Sequence, residues 1–298
     1  MAYHFRVILI LIIFPFMGCI SQNHPISNNS GYDFASPDAS LILPDTLREI
    51  SGLTTIDSNS FACIQDENGI LFIYDAVQNR ILKQFPFHID GDYEGITRVG
   101  DTIYILRSDG TLFEIIRYDS PDFKLNSYYT GIPANNNEGL CYDQSSNRLL
   151  IACKGKLGKG KDFKDKRIIY GFDLVSKRLS DEPVFDFNLQ AIRQFAIENN
   201  IKLPSRVKKK GQQIEPIVRF RTSAICVHPI NHRLYLLSAA EHLLFIFNMN
   251  GNIEHIEKLN PKLFNKAEGI TFFENGDILI TNEGQEKKPT LLRFNYIK

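Results

Sequence analysis

The sequence has no tryptophan and only three methionines in 298 residues, and its 34 basic and 34 acidic side chains cancel to a formal net charge of zero. A chain without an overall positive field lacks the sequence-independent attraction that nucleic acids and anionic membrane surfaces exploit, so nucleic acid is not an expected partner. No apolar run reaches the roughly 20 residues that a spanning helix needs. There is no Gly-x-Ser-x-Gly elbow, and no cysteine carries a local histidine signature of a nucleophile. Against these absences stand 22 phenylalanines and 12 tyrosines, with 43% hydrophobic and 23% charged residues overall. That balance buries an ordinary core, and its aromatic content suits strands.

The amino terminus reads as a targeting segment rather than part of a fold. One basic residue, Arg6, precedes the apolar run "VILILIIFPFMG", and Cys19 follows directly. A cysteine straight after Gly18 resembles the lipobox of bacterial lipoproteins, with Phe16 and Met17 departing from the usual leucine and small residue. Residues 1–19 are therefore expected to be a lipoprotein-type signal peptide with lipid attachment at Cys19. Residues 20–37, rich in Ser, Asn and Pro, are expected to be a flexible tether. "ISQN" after Cys19 carries no acidic residue that would hint at surface export, so the expected location is the bacterial cell envelope, lipid-anchored and facing the periplasm. The remaining cysteines, Cys63, Cys141, Cys153 and Cys226, each sit in an apolar strand-like run. They read as buried small hydrophobes; if any pair forms a disulfide, Cys141 and Cys153 on adjacent strands are the expected one.

A short motif recurs through the rest of the chain: "SGL" from Ser51, "EGI" from Glu94, "EGL" from Glu138, "SAI" from Ser223 and "EGI" from Glu268. The offsets are 43, 44, 85 and 45 residues. Each copy opens a strand, turn, strand, loop, strand pattern, with turns such as "DSNS", "VGD", "DQSSN", "HPINH" and "ENGD". Units of about 45 residues with four antiparallel strands are the signature of β-propeller blades. The long third offset divides into two outer strands, "RIIYGFDLV" and "EPVFDFN", and an insertion at 189–216. That insertion opens with helix-spaced Leu189, Ile192, Phe195 and Ala196, contains no expected strand pair, and includes the exposed loop "KKKGQQ". The last unit lacks a fourth strand, which "SLILP" at 40–44 can supply by pairing the chain ends. The expected fold is all-β: a five-bladed β-propeller of four-stranded antiparallel blades spanning residues 38–298, with a short helical insertion after the third blade.

The first strand of a blade lines the central channel, so Glu94, Glu138 and Glu268 should meet at one channel mouth, with Ser51 and Ser223 completing the ring. The loops after the second strands should bring Asp66, Glu67, Asp109, Glu241 and Glu283 to the same face. Converging carboxylates repel and raise one another's pKa. A hard divalent cation relieves this, and Ca²⁺, which takes six to eight oxygen ligands, suits the ring better than Zn²⁺, for which it offers no His or Cys. The alternative is that the glutamates bond strand-start N–H groups and only fix blade geometry.

The series "LREISGL", "DYEGI", "NNEGLCYD", "SAICVHPINHRLYLLS" and "AEGITFFENGDILITNEG" resembles the SdiA-regulated domain family, envelope proteins distantly similar to NHL-repeat proteins. The resemblance covers roughly residues 40–297. It implies a five-bladed propeller and a shared calcium site. Glu94, Glu138 and Glu268 stand at the family's Glu-Gly motif, Glu49 at the acidic position before the first Ser-Gly-Leu, and Glu283 at the acidic position after the last blade's second strand. Gly155 after Lys154 departs from the family's Lys-Glu pair.

Two further patterns weigh less. "GKLGKGKD" at 155–162 nearly matches a phosphate-binding loop, but Asp162 replaces the Mg²⁺-holding Ser or Thr and a strand follows where a helix should. With seven basic residues from Lys154 to Arg167, it reads as a solvated loop, or as an anion-gripping one beside the acidic ring. His228 and His232 lie in a turn and read as structural. The expected function is a non-catalytic calcium-binding lipoprotein presenting its channel face to a small anionic ligand or a protein partner. The alternative is a metal-dependent hydrolase of phosphoesterase or lactonase type, with Glu94 and Glu138 as base and metal ligand.

Overall fold

Short apolar runs split by turn residues fold into five antiparallel sheets around one axis. The computed structural model describes residues 30–134, 136–158, 166–207 and 214–297. The signal segment, Cys19, and parts of the tether, the basic loop and "KKKGQQ" lie outside the described residues. Among the described residues, no helix is long and apolar enough to cross a membrane.

Blade I comprises Ile50–Thr55, Ser60–Gln65, Ile70–Asp75 and Arg80–Pro86; blade II comprises Tyr93–Val99, Thr102–Arg107, Thr111–Ile116 and Lys124–Tyr129. Blade III runs Asn137–Asp143, Arg148–Cys153 and Lys166–Asp173. Its outer edge is shared by two short strands, Arg178–Leu179 and Phe185–Asn188, both paired with the third. Blade IV comprises Ala224–Val227, Leu234–Ser238, Leu243–Phe247 and Ile253–Lys258. Blade V comprises Ala267–Phe272, Ile278–Asn282 and Thr290–Phe294, and its fourth strand is Ala39–Ile42, paired antiparallel with Ala39 opposite Arg293 and Ile42 opposite Thr290. The ring is thus closed by the chain's own beginning, which covers the last sheet edge. The innermost strands touch in cyclic order from blade I to blade V and back to blade I.

Burial follows position in the blade. Inner strands such as Ile50–Thr55 are almost wholly buried, whereas the outer strand Arg80–Pro86 is mostly exposed. Both faces of each blade pack on neighbours, so the middle strands read as continuous hydrophobic runs such as "SFACI" and "LLFIF". The turns use their expected chemistry: Asp57 Oδ1 accepts from the Asn59 and Ser60 N–H groups at 2.8 Å each, and Gly276 adopts φ +93°.

The insertion holds helix α1 (Leu189–Glu198), capped by the Asn188 side chain, which accepts from Gln190 and Ala191 N–H. Leu189, Ile192 and Ala196 face a core shared by blades III and IV. One expectation is corrected here. The insertion does contain a strand pair, Ser205–Val207 with Ile214–Pro216, whose three-residue strands are too short to show a hydrophobic period. The four cysteines are free, and Cys141 and Cys153, the pair expected if any, do not bond. Cys141 lies opposite Leu150 and Cys153 opposite Asn137, and the two side chains enter cores on opposite faces of the sheet.

The chain is packed earlier than the expected tether boundary at residue 37. Tyr32 and Phe34 are buried between blades IV and V. The His228 Nδ1 accepts from the Ile230 and Asn231 N–H groups at 3.0 and 3.2 Å, which leaves Nε2 to donate to the Tyr32 hydroxyl at 2.9 Å. Tyr32 donates in turn to the Gly276 carbonyl, and Tyr235 donates to the Ser30 carbonyl at 2.9 Å. His228 is therefore structural, as its place in a turn suggested.

Burial pushes the His228 imidazole down to about 4. The unfolded chain takes up this proton near the ordinary value of about 6.5, the folded chain only near pH 4. The stability that neutral His228 contributes is complete above about pH 6.5 and is lost as the pH falls towards 4. Denaturant unfolding should show wild type losing roughly 3 kcal/mol more stability than His228→Gln between pH 7 and pH 4. Equal losses in the two proteins would refute the assignment.

Candidate functional site

The repeated motif marks a repeated backbone irregularity. The pairing register slips between Ile50 and Gly52, Tyr93 and Gly95, Asn137 and Gly139, and Ala267 and Gly269. Ser51, Glu94, Glu138 and Glu268 are the extra residues of these β-bulges, and a bulge re-aims the side chain it releases. The glycine that follows is required by close approach of the next inner strand. A Cβ on Gly95 would stand 2.8 Å from Leu140 Cβ, one on Gly139 3.0 Å from Ile225 Cγ1, and one on Gly269 2.7 Å from Leu53 Cδ2. Where serine replaces glutamate, it ties blades instead: Ser51 Oγ donates to Tyr93 O at 2.7 Å and Ser223 Oγ to Ala267 O at 2.8 Å.

Glu94, Glu138 and Glu268 line one axial cavity together with Ser51, and Leu53, Ile96, Leu140, Ile225 and Ile270 close it in. The cavity holds about 10 Å³, room for no more than one water or one ion. Glu138 is 2% exposed and Glu268 8%. Burial first, and then the Glu138 and Asp92 carboxylates, raise the pKa of Glu94. Burial likewise raises Glu138 and Glu268, against the pull of lysines. Those lysines are the feature that the repeat does not reveal. Lys154 Nζ pairs with Glu138 Oε1, and Lys266 Nζ pairs with Glu283 and lies 3.5 Å from Glu268. Burial works against the Lys154 ammonium, yet the surrounding glutamates raise its pKa, and the same balance holds for Lys266.

Glu283 joins the ring through Lys266. Glu49 is half-buried and does not line the cavity, and its backbone carbonyl accepts from Asp66 N–H at 3.1 Å. Asp66 is raised to about 7, by burial and then by Glu49 and Glu283. Two loop carboxylates expected at this face are otherwise engaged: Asp109 with Arg107, and Glu241 with Arg221 and Ser238. Glu114, absent from the sequence reading, shows what a satisfied buried carboxylate looks like. Burial alone would raise it, but donors from Lys177, Tyr104, Asn126 and Tyr128 hold it down at about 2 and stitch blade II to blade III.

Unlike Glu114, several buried oxygens at the end of the blades where the glutamates stand have no donor. Glu138 Oε2, Asp66 Oδ1, Asn136 Oδ1, Asn137 Oδ1 and Asn282 Oδ1 are buried with no hydrogen-bond partner. Asn137 and Asn282 spend their amide nitrogens on carbonyls, Ser108 O at 2.9 Å and Leu263 O at 3.1 Å, which leaves their oxygens free. Carboxylate and amide oxygens are the donor set of a hard cation, so the residue chemistry fits Ca²⁺. The arrangement is not a closed nest: among the described residues, no group of three or more His, Cys, Asp or Glu is already disposed to hold a metal. Among the described residues, Lys154 and Lys266 are the cations paired with Glu138, Glu268 and Glu283.

With no cation bound, a raised carboxyl pKa is a stability cost that grows as the pH rises above the unfolded value. Glu94→Gln, neutral in both states, should stabilise the protein at pH 8 by more than about 1 kcal/mol and leave it unchanged at pH 4. Urea unfolding in chelator measures both; destabilisation at pH 8 would mean that ionised Glu94 has a native donor.

The sequence matches no family model and no curated protein. Solved structures do resemble the fold. Myxococcus xanthus glutaminyl cyclase aligns with a TM-score of 0.55 at 14% identity, over 88% of this chain and 97% of that one. The nidogen/laminin complex gives 0.47 at 14% identity over 78% and 72%, and streptogramin B lyase 0.46 at 12% over 86% and 97%. At 14% identity the likeness to the glutaminyl cyclase is one of fold, and a fold by itself does not carry a function. By its own five sheets, closed into a ring, the chain is a five-bladed β-propeller.

Proposed function

We propose that the protein is a calcium-binding propeller of the bacterial cell envelope, lipid-anchored through Cys19 and facing the periplasm. It presents its channel mouth to a small anionic ligand or a protein partner without catalysing a reaction. The observation that carries this reading is the set of buried oxygens with no hydrogen-bond partner at the same end of the blades as the channel glutamates: Glu138 Oε2, Asn137 Oδ1, Asn282 Oδ1 and Asp66 Oδ1. A buried unpaired acceptor costs about 1–3 kcal/mol, and four on one face of the ring make a surface that a cation would stabilise. The resemblance to the SdiA-regulated domain family supports the same ion, with Glu94, Glu138, Glu268, Glu49 and Glu283 around it. The lipobox-like "FMGC" supports the anchor.

The hydrolase reading has one observation in its favour. Glu94 and Glu138 share the channel wall with raised pKa values, so one can hold a proton while the other is charged. The cavity admits only an ion-sized species, so a substrate would have to react above the mouth rather than within the channel.

Melting of the chelator-treated protein with and without Ca²⁺ tests the main reading. Millimolar Ca²⁺ should raise the midpoint by several degrees, and Glu138→Gln should remove most of that rise. An unchanged midpoint sinks the calcium site. Turnover of phosphate esters or lactones that vanishes in Glu94→Gln would favour the enzyme. Labelled palmitate should be incorporated by the wild type and not by Cys19→Ala, and a wild-type protein that takes up no label would remove the lipid anchor from the proposal.

A further inference from the structure

The inner strands begin at the glutamates and end, at the other face of the propeller, beside a second cleft. Blades I and V are tied there, where Thr55 Oγ1 donates to the Phe272 carbonyl at 3.1 Å. Next to this tie lies a cavity of about 520 Å³, lined by Thr55, Ile56 and Ser58 of blade I, Arg98 of blade II, and Phe273 and Arg293 of blade V, among others. Ligand pockets commonly measure about 300–1,000 Å³. A second cavity of about 130 Å³ adjoins it, since Ser58, Phe273 and Arg293 line both. The smaller one is mainly apolar, lined by Leu41, Ala76, Val77, Leu279 and Leu291. An apolar cavity of about 150 Å³ is enough to take benzene.

The two arginines of the cleft differ. Arg293 is engaged: its Nη2 and Nε donate to Asp277 Oδ2 at 2.5 and 3.2 Å, and its guanidinium carbon lies 5.2 Å from the centre of the Phe273 ring. Ring and guanidinium therefore form one wall. Arg98 makes no ion pair with a described residue. Its Nη1 donates to the Ile56 carbonyl at 2.9 Å, the Tyr118 hydroxyl stands within its reach, and its Nε is buried with no acceptor. Asp57, the carboxylate its charge favours, already accepts from the Asn59 and Ser60 N–H groups at 2.8 Å each and from Ser60 Oγ at 2.7 Å. A full positive charge thus stands in the cavity wall with neutral groups as its hydrogen-bonding neighbours.

We infer that this cleft binds a monocarboxylic acid with an apolar tail, its carboxylate on Arg98 and the end of its tail in the smaller cavity. A carboxylate matches the planar, forked donors of a guanidinium. Asp57 and Glu274 also line the larger cavity and disfavour a ligand of higher negative charge. The tail has a defined length. Ile56, whose carbonyl Arg98 holds, lies two residues from Ser58, a distance of at most about 7 Å. Ser58 borders both cavities, so an acid whose tail is several carbons long reaches from one to the other. The walls are already fixed, because the Arg98 N–H donates to Thr54 Oγ1 at 3.2 Å and so ties blade II to blade I beside the Thr55 tie to blade V. Binding therefore needs little further ordering. The site requires no metal and stands independently of the calcium reading.

Calorimetric titration of the detergent-solubilised full-length protein in chelator, with detergent alone as the blank, tests the cleft with 4-phenylbutyrate as probe. Wild type should bind this acid, and should bind 4-phenylbutyramide and acetate on the order of tenfold more weakly, since one lacks the charge and the other the tail. Arg98→Met should weaken the acid by a similar factor and leave the amide unchanged. Val77 is 74% exposed, so Val77→Asp puts a charge beside the smaller cavity without disturbing the core, and should also weaken the acid. Glu138→Gln should bind it as wild type does. No binding by wild type refutes the site. Amide bound as tightly as acid refutes the Arg98 anchor, as does full affinity in an Arg98→Met protein that melts like wild type. Acetate bound as tightly as 4-phenylbutyrate, or full affinity in Val77→Asp, refutes the place of the tail. If Arg98→Met does not fold, the acid and amide comparison in wild type decides. Every measurement is made without Ca²⁺, so none of these failures touches the calcium site.

Discussion

Carboxylates buried without enough donors are the constraint on which the chemistry of this molecule turns. A propeller must bring its inner strands together around an axis, and four of the five here arrive with a bulge at the same point. Three bulges release a glutamate. The narrowness that makes the ring stable also strips those groups of water, and burial leads the shifts of Glu94, Glu138 and Glu268. Glu114, also buried but with four donors, takes the opposite shift from Glu138, so donors as well as depth set the state of these carboxylates.

The motif thereby has two jobs that meet in adjacent residues. The glycine lets neighbouring inner strands approach within contact distance, and the glutamate before it faces the space that remains. Blade IV shows the two jobs apart. Ala224 stands at the glycine position, and Ser223 at the glutamate position ties blade IV to blade V through the Ala267 carbonyl. Serine at 51 does the same between blades I and II. The ring therefore combines two tying positions with three charged ones, which is why its charge is uneven around the axis.

Much of the fold is legible along the chain, because each blade repeats a local pattern. The turns after the inner strands, the closing strand near residue 40 and the helix spacing from Leu189 to Ala196 all depend on neighbours in sequence, and each is found where its pattern puts it. The hairpin at Ser205–Val207 and Ile214–Pro216 escapes notice because three residues do not establish a period. The packed segment at Tyr32 and Phe34 escapes for another reason: a stretch rich in Ser, Asn and Pro reads as tether, and only the packing of Tyr32 on His228, Tyr235 and Phe272 and of Phe34 on Phe264 and Phe294 makes two of its aromatics core residues.

The sequence by itself determined the repeat, the blade count and the convergence of Glu94, Glu138 and Glu268, since a period of about 45 residues places equivalent positions at equivalent heights. Tertiary structure alone decided what meets those glutamates. Lys266 stands beside Glu283 across blade V, and the orphaned oxygens of Asn137 and Asn282 become orphaned only when their amide nitrogens find carbonyls in distant loops. Partners of this kind belong to no repeat. They are fixed by how neighbouring blades pack, and no spacing along one blade records it.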